Sequence, residues 1–345
     1  MAGGPVLIGI PGLELDPQSR QHLQHPQVGG IVLFKRNFQN RAQLIELVAD
    51  IRGAAEPRPL VCIDQEGGRV QRLDGEEFTT LPPLGVLGQL HESDPVKAID
   101  MAYRHGRVMA TEMLACGIDL SFAPVLDLDR GSRVIGDRSF SSDPGVITTL
   151  GRSYLAGMRD SGMKSTGKHF PGHGSVVADS HFDDVTDDRS LDEIRETDMA
   201  PFRALMPALD CLMIAHVVYP QVDKRPAGYS QTWLQEILRG ELGYRGIVFS
   251  DDLCMHAAKA AGGAVDRARE CLEAGCDLVL VCQVEEIESL MAEGLDDPRD
   301  ASADLAALYG KATVDRGELV EVKREGIREW GHWRRSLEQL GETWS

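Results

Sequence analysis

Continuously apolar runs recur along the chain at 6–10, 30–34, 60–63, 120–125, 211–215, 246–249 and 277–281, with a weaker one at 163–166. None alternates apolar with polar positions, as a half-exposed strand would. Each therefore reads as a strand buried on both faces, the habit of a parallel sheet. Helical stretches lie between them, at 41–53, 95–116, 145–161, 191–209, 232–242 and 263–274. Eight such alternations predict an α/β chain folded as a (β/α)8 TIM barrel. An open doubly wound sheet is the alternative, although no Gly-x-Gly-x-x-Gly follows the first strand. The barrel is expected over about residues 5–283 and a helical segment over about 284–345, all within one domain spanning 1–345. That last segment, rich in charge and carrying Trp330, Trp333 and Trp344, is expected to pack on the outside of the barrel.

Polar residues sharpen this picture because they gather where the runs end. Asp64 follows the third run, Asp127 and Asp129 the fourth, and Lys168 and His169 the fifth. His216 follows the sixth, and Ser250, Asp251 and Asp252 follow the seventh. Functional groups of barrels collect at the C-terminal ends of strands, so this placement points to one site.

Composition narrows the chemistry. A formal net charge of −18 over 345 residues disfavours a nucleic-acid partner, since phosphates would be repelled. The seven cysteines include no Cys-x-x-Cys pair and sit mostly in apolar runs, so buried free thiols in a reducing compartment are expected. The N-terminus has no basic region before a long apolar core, and no window is long and apolar enough to span a bilayer. A cytoplasmic protein without a membrane partner is expected.

The densest chemistry lies at 167–181, which holds three histidines, three glycines, Lys168 and Asp179 in fifteen positions. Pro171, Gly172 and Gly174 argue against a continuous helix or strand, so the segment reads as a shaped loop that carries function. Asp179 and His181, one residue apart, suit a proton-shuttling pair, because a carboxylate fixes the imidazole tautomer and raises its basicity. At 246–253, Gly-Ile-Val-Phe-Ser-Asp-Asp-Leu ends a strand in two carboxylates. Asp251 or Asp252 is then a nucleophile, a base or a metal ligand, unless the pair merely caps a following helix. Two loops, 64–72 and 135–140, combine carboxylates with Arg69, Arg72 and Arg138, a mixture suited to a ligand with many hydroxyls or to plain surface pairing.

Taken together, Lys-His-Phe-Pro-Gly-His-Gly followed by Asp-Ser-His, with Ser-Asp-Asp-Leu later and Asp-Gln-Glu-Gly-Gly-Arg-Val-Gln-Arg earlier, resemble the bacterial β-N-acetylglucosaminidases of glycoside hydrolase family 3. The resemblance runs from about residue 6 to 283, in order. It implies a retaining exo-glycosidase that removes terminal N-acetylglucosamine without metal or cofactor. Asp251 would be the nucleophile, His181 the general acid/base and Asp179 its partner. Sugar contacts would fall on Asp64, Arg72, Arg138, Lys168 and His169. The likeness to cell-wall recycling enzymes implies a small carbohydrate substrate, an N-acetylglucosaminyl muropeptide, and a monomer. The chain departs at Ser175-Val176, where the family often has Asp-Thr, and at Cys254, where Ser is common. A single domain, without the second one that many members carry, is expected. Attack by the substrate's own acetamide, phosphorolysis, and a metal-dependent hydrolase using His169, His173, His181 and Asp251 stand as rival chemistries, and a non-catalytic sugar-binding protein as a rival class.

Overall fold

The computed structural model describes residues 3–176, 185–295, 300–313 and 328–344. Eight strands form one parallel sheet: β1 Val6–Ile8, β2 Val28–Leu33, β3 Leu60–Ile63, β4 Leu120–Ser121, β5 Thr166–Phe170, β6 Cys211–Ile214, β7 Ile247–Asp252 and β8 Leu278–Val281. They are ordered β4-β3-β2-β1-β8-β7-β6-β5. The two ends meet through the parallel bridges Leu120–Lys164 and Val125–Lys168, with Leu126 N–H donating to the Lys168 carbonyl at 2.8 Å. The sheet thus rolls up into the predicted barrel.

Alternation along each strand explains why the runs are apolar throughout. Leu7, Val32, Leu60, Cys62, Met213, Phe249, Leu278 and Leu280 pack with one another inside the barrel. Their neighbours Val6, Ile8, Ile31, Val61, Ile63, Leu212, Val248 and Val279 face outward, into the layer beneath the helices. Both faces are therefore dry, and no polar alternation survives.

Five of the predicted helices appear close to their expected bounds. They are α2 Arg41–Arg52, α4 Pro95–Ala115, α5 Pro144–Ser161, a π-helical Thr232–Glu241 and α8 Ala264–Ala274, while α1 Pro17–Leu23 and α3 Leu84–Ser93 are additional. The stretch expected as one helix at 191–209 is instead α6 Leu191–Glu196, α7 Met199–Leu205 and a short 3-10 turn. Thr197 leaves helical geometry there, with φ −115° and ψ −86°, and Asp198 turns inward. After α9 Val284–Glu293, the helix α10 Ser302–Leu308 corrects a second expectation. It does not lie on the outer surface: Leu305 and Leu308 join the inner cluster and close one end of the barrel. The C-terminal helix Arg328–Trp344 does pack outside, burying Trp330, Leu337 and Leu340 and placing Arg334 Nε 2.7 Å from Thr79 Oγ1.

Two strands sit later than the apolar runs suggest. β5 was expected at 163–166 but runs Thr166–Phe170, so Lys168 and His169 belong to the strand and not to a loop after it. The ladder of β4 stops at Ser121 although the apolar run continues to Val125, because Pro124 has no N–H to donate. All seven cysteines are free and buried. Among the described residues, no helix is long and apolar enough to cross a membrane.

Candidate active site

The inward-facing alternation ends, at one mouth of the barrel, in charge. Asp251 follows the inward-pointing Phe249 at the end of β7, and Asp64 stands beyond Leu60 and Cys62, in phase with them, after β3. Both line a cavity of about 600 Å³ whose floor is apolar, made by Val32, Phe122, Met213 and Leu280. Arg72, Arg138, Lys168 and His169 line the same cavity. Six of the eight residues singled out from sequence are thereby brought together. The other two, Asp179 and His181, lie outside the described residues.

An ion lattice shapes one wall. Lys168 Nζ lies 2.8 Å from Asp64 Oδ1 and 2.6 Å from Glu66 Oε1. Arg138 grips Glu66 with Nε and Nη2, both at 2.8 Å, and Arg72 Nη2 approaches Asp64 at 3.6 Å. Glu66 is buried, which opposes its ionisation, yet Arg138 and Lys168 hold it well below the ordinary glutamate range. Burial likewise opposes the charge on Lys168, but Asp64 and Glu66 raise its pKa, so it stays an ammonium. The sequence reading missed Glu66. It sits in a hairpin, Gln65–Gly67 against Val70–Gln71, whose turn needs the positive φ of Gly67 (113°) and Gly68 (54°).

A second buried carboxylate organises the histidines. Asp127, fully buried after β4, accepts from His169 N–H at 3.1 Å and His173 N–H at 2.8 Å, and lies 2.7 Å from His169 Nδ1. Against the cost of burial, His169 and His173 keep Asp127 ionised below its usual range. An ionised Asp127 requires His169 to carry its proton on Nδ1, which leaves Nε2 for the cavity. Two glycines let this chain segment turn. A Cβ on Gly174 would fall 1.6 Å from the Leu128 carbonyl oxygen, and one on Gly172 (φ 141°) 2.5 Å from Asp198 Cβ. Among the described residues of that segment, therefore, the loop expected from 167 onward begins only at 171.

Asp251 itself is half-buried at the cavity, with the Asp252 N–H donating to its Oδ1 at 2.8 Å. Burial pushes its pKa up, but His169, His216, that N–H and Lys168 together bring it below the ordinary aspartate value. Asp251 therefore carries a carboxylate at neutral pH. Asp252 differs: burial raises its pKa, and its carboxylate accepts from Cys254 N–H at 3.0 Å. Neither aspartate caps a helix, since the next one, His256–Ala261, has Met255 at its N-cap. His216 is buried beyond β6, stacked on Tyr229 and set against the backbone of Asp251 and Asp252.

Of the departures from the family pattern, the one at Ser175 has a physical reason. Ser175 Oγ donates to Asp198 Oδ1 at 3.1 Å, so an aspartate at 175 would set two carboxylates face to face. Asp198 also binds Arg189 Nη1 at 2.7 Å, tying the chain on both sides of 177–184 to one post. Cys254 lines the cavity, but burial and the Asp252 charge push its thiol up to about 12, so it is a poor nucleophile at neutral pH. Among the described residues, no cluster of three or more His, Cys, Asp or Glu is arranged to hold a metal ion.

Comparison with known proteins supplies independent information. The glycosyl hydrolase family 3 N-terminal domain matches residues 8–298. A β-hexosaminidase from Stenotrophomonas maltophilia is 52% identical over 98% of this chain and 99% of its own. The structure of native NagZ from Neisseria gonorrhoeae superposes with a TM-score of 0.90 at 43% identity, covering 99% of this chain and 98% of the other. The same protein in complex with N-trifluoroacetyl-D-glucosamine gives 0.90 at 42% identity, covering 99% of both.

Proposed function

The chain belongs to glycosyl hydrolase family 3 and is a β-N-acetylhexosaminidase-type glycoside hydrolase, and from that premise we propose a retaining exo-β-N-acetylglucosaminidase working through a glycosyl-aspartate. The observation that carries this reading is an ionised Asp251 at the inward end of β7, facing a cavity walled by the Asp64–Lys168–Glu66–Arg138 lattice. Rigid donors and acceptors of that kind suit sugar hydroxyls, and the apolar floor suits the carbon face of a pyranose.

In the proposed reaction an Asp251 oxygen attacks the anomeric carbon as the bond to the leaving oxygen breaks. His181, paired with Asp179, gives its proton to that oxygen. Water then attacks the same carbon, His181 takes the water proton, and the carboxylate of Asp251 leaves. A histidine in the acid/base role spares the site a further anion beside Asp251. The substrate class we favour is N-acetylglucosaminyl-1,6-anhydro-N-acetylmuramic acid and its peptides, in cytoplasmic peptidoglycan recycling. The complex of the Neisseria relative with a glucosamine derivative supports the sugar half of that class.

Covalent capture tests the mechanism. A 2-fluoro glycoside with a good leaving group should add one sugar to the peptide containing Asp251, seen by mass spectrometry, and Asp251→Ala should neither label nor turn over. An unlabelled enzyme strongly inhibited by an oxazoline mimic would point to the substrate acetamide as nucleophile instead.

A further inference from the structure

Although the protein is strongly acidic, with a formal net charge of −18, several cations line its cavity. Most already hold partners. Lys168 and Arg138 share Glu66, Arg72 faces Asp64, and Arg69 Nε reaches Asp137 at 3.2 Å. Arg133 differs: its exposed side chain lines the cavity, and among the described residues its guanidinium has no carboxylate or carbonyl partner.

The backbone beneath Arg133 is well braced. Its carbonyl accepts from Arg69 Nη2 at 3.3 Å, and the Val134 carbonyl accepts from Arg69 and from Arg138 Nη1, the latter at 3.1 Å. Ser132 and Val134 on either side are buried, and Ser132 N–H donates to the Gly174 carbonyl at 3.3 Å. The chain runs from Gly174 on to Asp179 and His181. A general acid must reach the leaving oxygen, so the cavity edge beside the root of that segment belongs to the leaving-group half.

We propose that Arg133 is a specificity-determining residue that pairs with a carboxylate on the leaving group. This assignment rests on the hydrolase reading above. A protein of this net charge repels anions at long range, so an anionic leaving group needs a local cation to be accepted. A guanidinium with its donors unspent, on a fixed backbone, supplies one.

The test uses two aryl N-acetylglucosaminides that differ only in a carboxymethyl group and its neutral methylamide, which match in leaving-group basicity. The ratio of their kcat/KM values is the readout. The wild-type protein should prefer the carboxylate, and high salt should erode that preference. Arg133→Ala should lower the ratio about fivefold, Arg133→Glu should invert it, and Arg133→Lys should keep most of it. A wild-type protein that cleaves both equally, or a ratio unmoved in the alanine and glutamate variants, overturns the assignment and leaves the hydrolase reading intact. Failure to cleave either compound would sink the hydrolase reading itself, and this assignment with it.

Discussion

Replacing Glu66 with glutamine removes one charge at almost constant volume, from the centre of the cavity's ion lattice. Glu66 is 2% exposed and accepts three charged hydrogen bonds, two from Arg138 at 2.8 Å and one from Lys168 at 2.6 Å. At such separations Coulomb attraction amounts to roughly 6 kcal/mol per pair at an effective dielectric of about 20. Desolvation of the three ions, several kcal/mol each, offsets most of that, so the intact lattice is close to neutral for stability. Removing the anion alone is not neutral. Lys168 keeps Asp64, but Arg138 is left with only the Val134 carbonyl and a glutamine amide of the wrong polarity. We expect Glu66→Gln to cost about 3 kcal/mol in urea denaturation at pH 7, the low end for a broken buried pair because one oxygen still accepts. Loosened Arg138 and Lys168 should cost about 100-fold in kcat/KM. The pH dependence carries a sign. Glu66 has a depressed folded pKa, so its stabilisation is fully present above its ordinary value of 4.5 and fades as pH falls below that toward the folded value. The gap between wild type and variant should therefore be widest at neutral pH and should narrow in acid. A gap under about 1 kcal/mol at pH 7, or one that does not shrink in acid, would refute the reasoning.

Two further outcomes are expected. His181→Ala should slow the cleavage of disaccharides, whose leaving groups need protonation, by about 100-fold or more, and aryl glycosides with acidic leaving groups far less. Equal loss on both, or none, in steady-state assays would remove His181 from the acid/base role. Asp127→Asn should strand the donors now converging from His169 and His173, costing about 2 kcal/mol in denaturation and at least tenfold in kcat/KM. Unchanged stability and kinetics would mean that Asp127 does not set the imidazole's orientation.

Strand positions were legible wherever both faces of a strand are apolar, as in β2, β3 and β8. They were misplaced where polar function invades the strand. β5 is Thr-Gly-Lys-His-Phe, without a single aliphatic side chain, yet all five residues are buried. Lys168 is buried only because Asp64 and Glu66 come to it from elsewhere, and no local pattern announces such partners. The break after α6 was hidden for a related reason. Asp198 turns inward to meet Ser175 and Arg189, a tertiary contact that overrides a helical sequence.

Within the site, the sequence could point to residues but not to their pairings. Arg138 meets Glu66 across 72 positions, and Lys168 meets Asp64 across 104. Glu66 was passed over, and Asp127 was noted only for its place after a strand, because their role consists entirely of such distant partners. The choice between Asp251 and Asp252 was likewise not a local one, because both line the cavity and the pairing of β7 with β8 slips between Phe249 and Asp252. In a strand buried on both faces, alternate positions share a side, and the inward side of β7 runs through Ile247 and Phe249 up to that slip. The same parity carries Leu60 and Cys62 on to Asp64. On β7 the count holds only as far as that slip, whereas counting in twos from the apolar core of β3 selects Asp64 without any relative to compare. It does so because the rule that fills the barrel with apolar side chains also fixes where the first polar one must face.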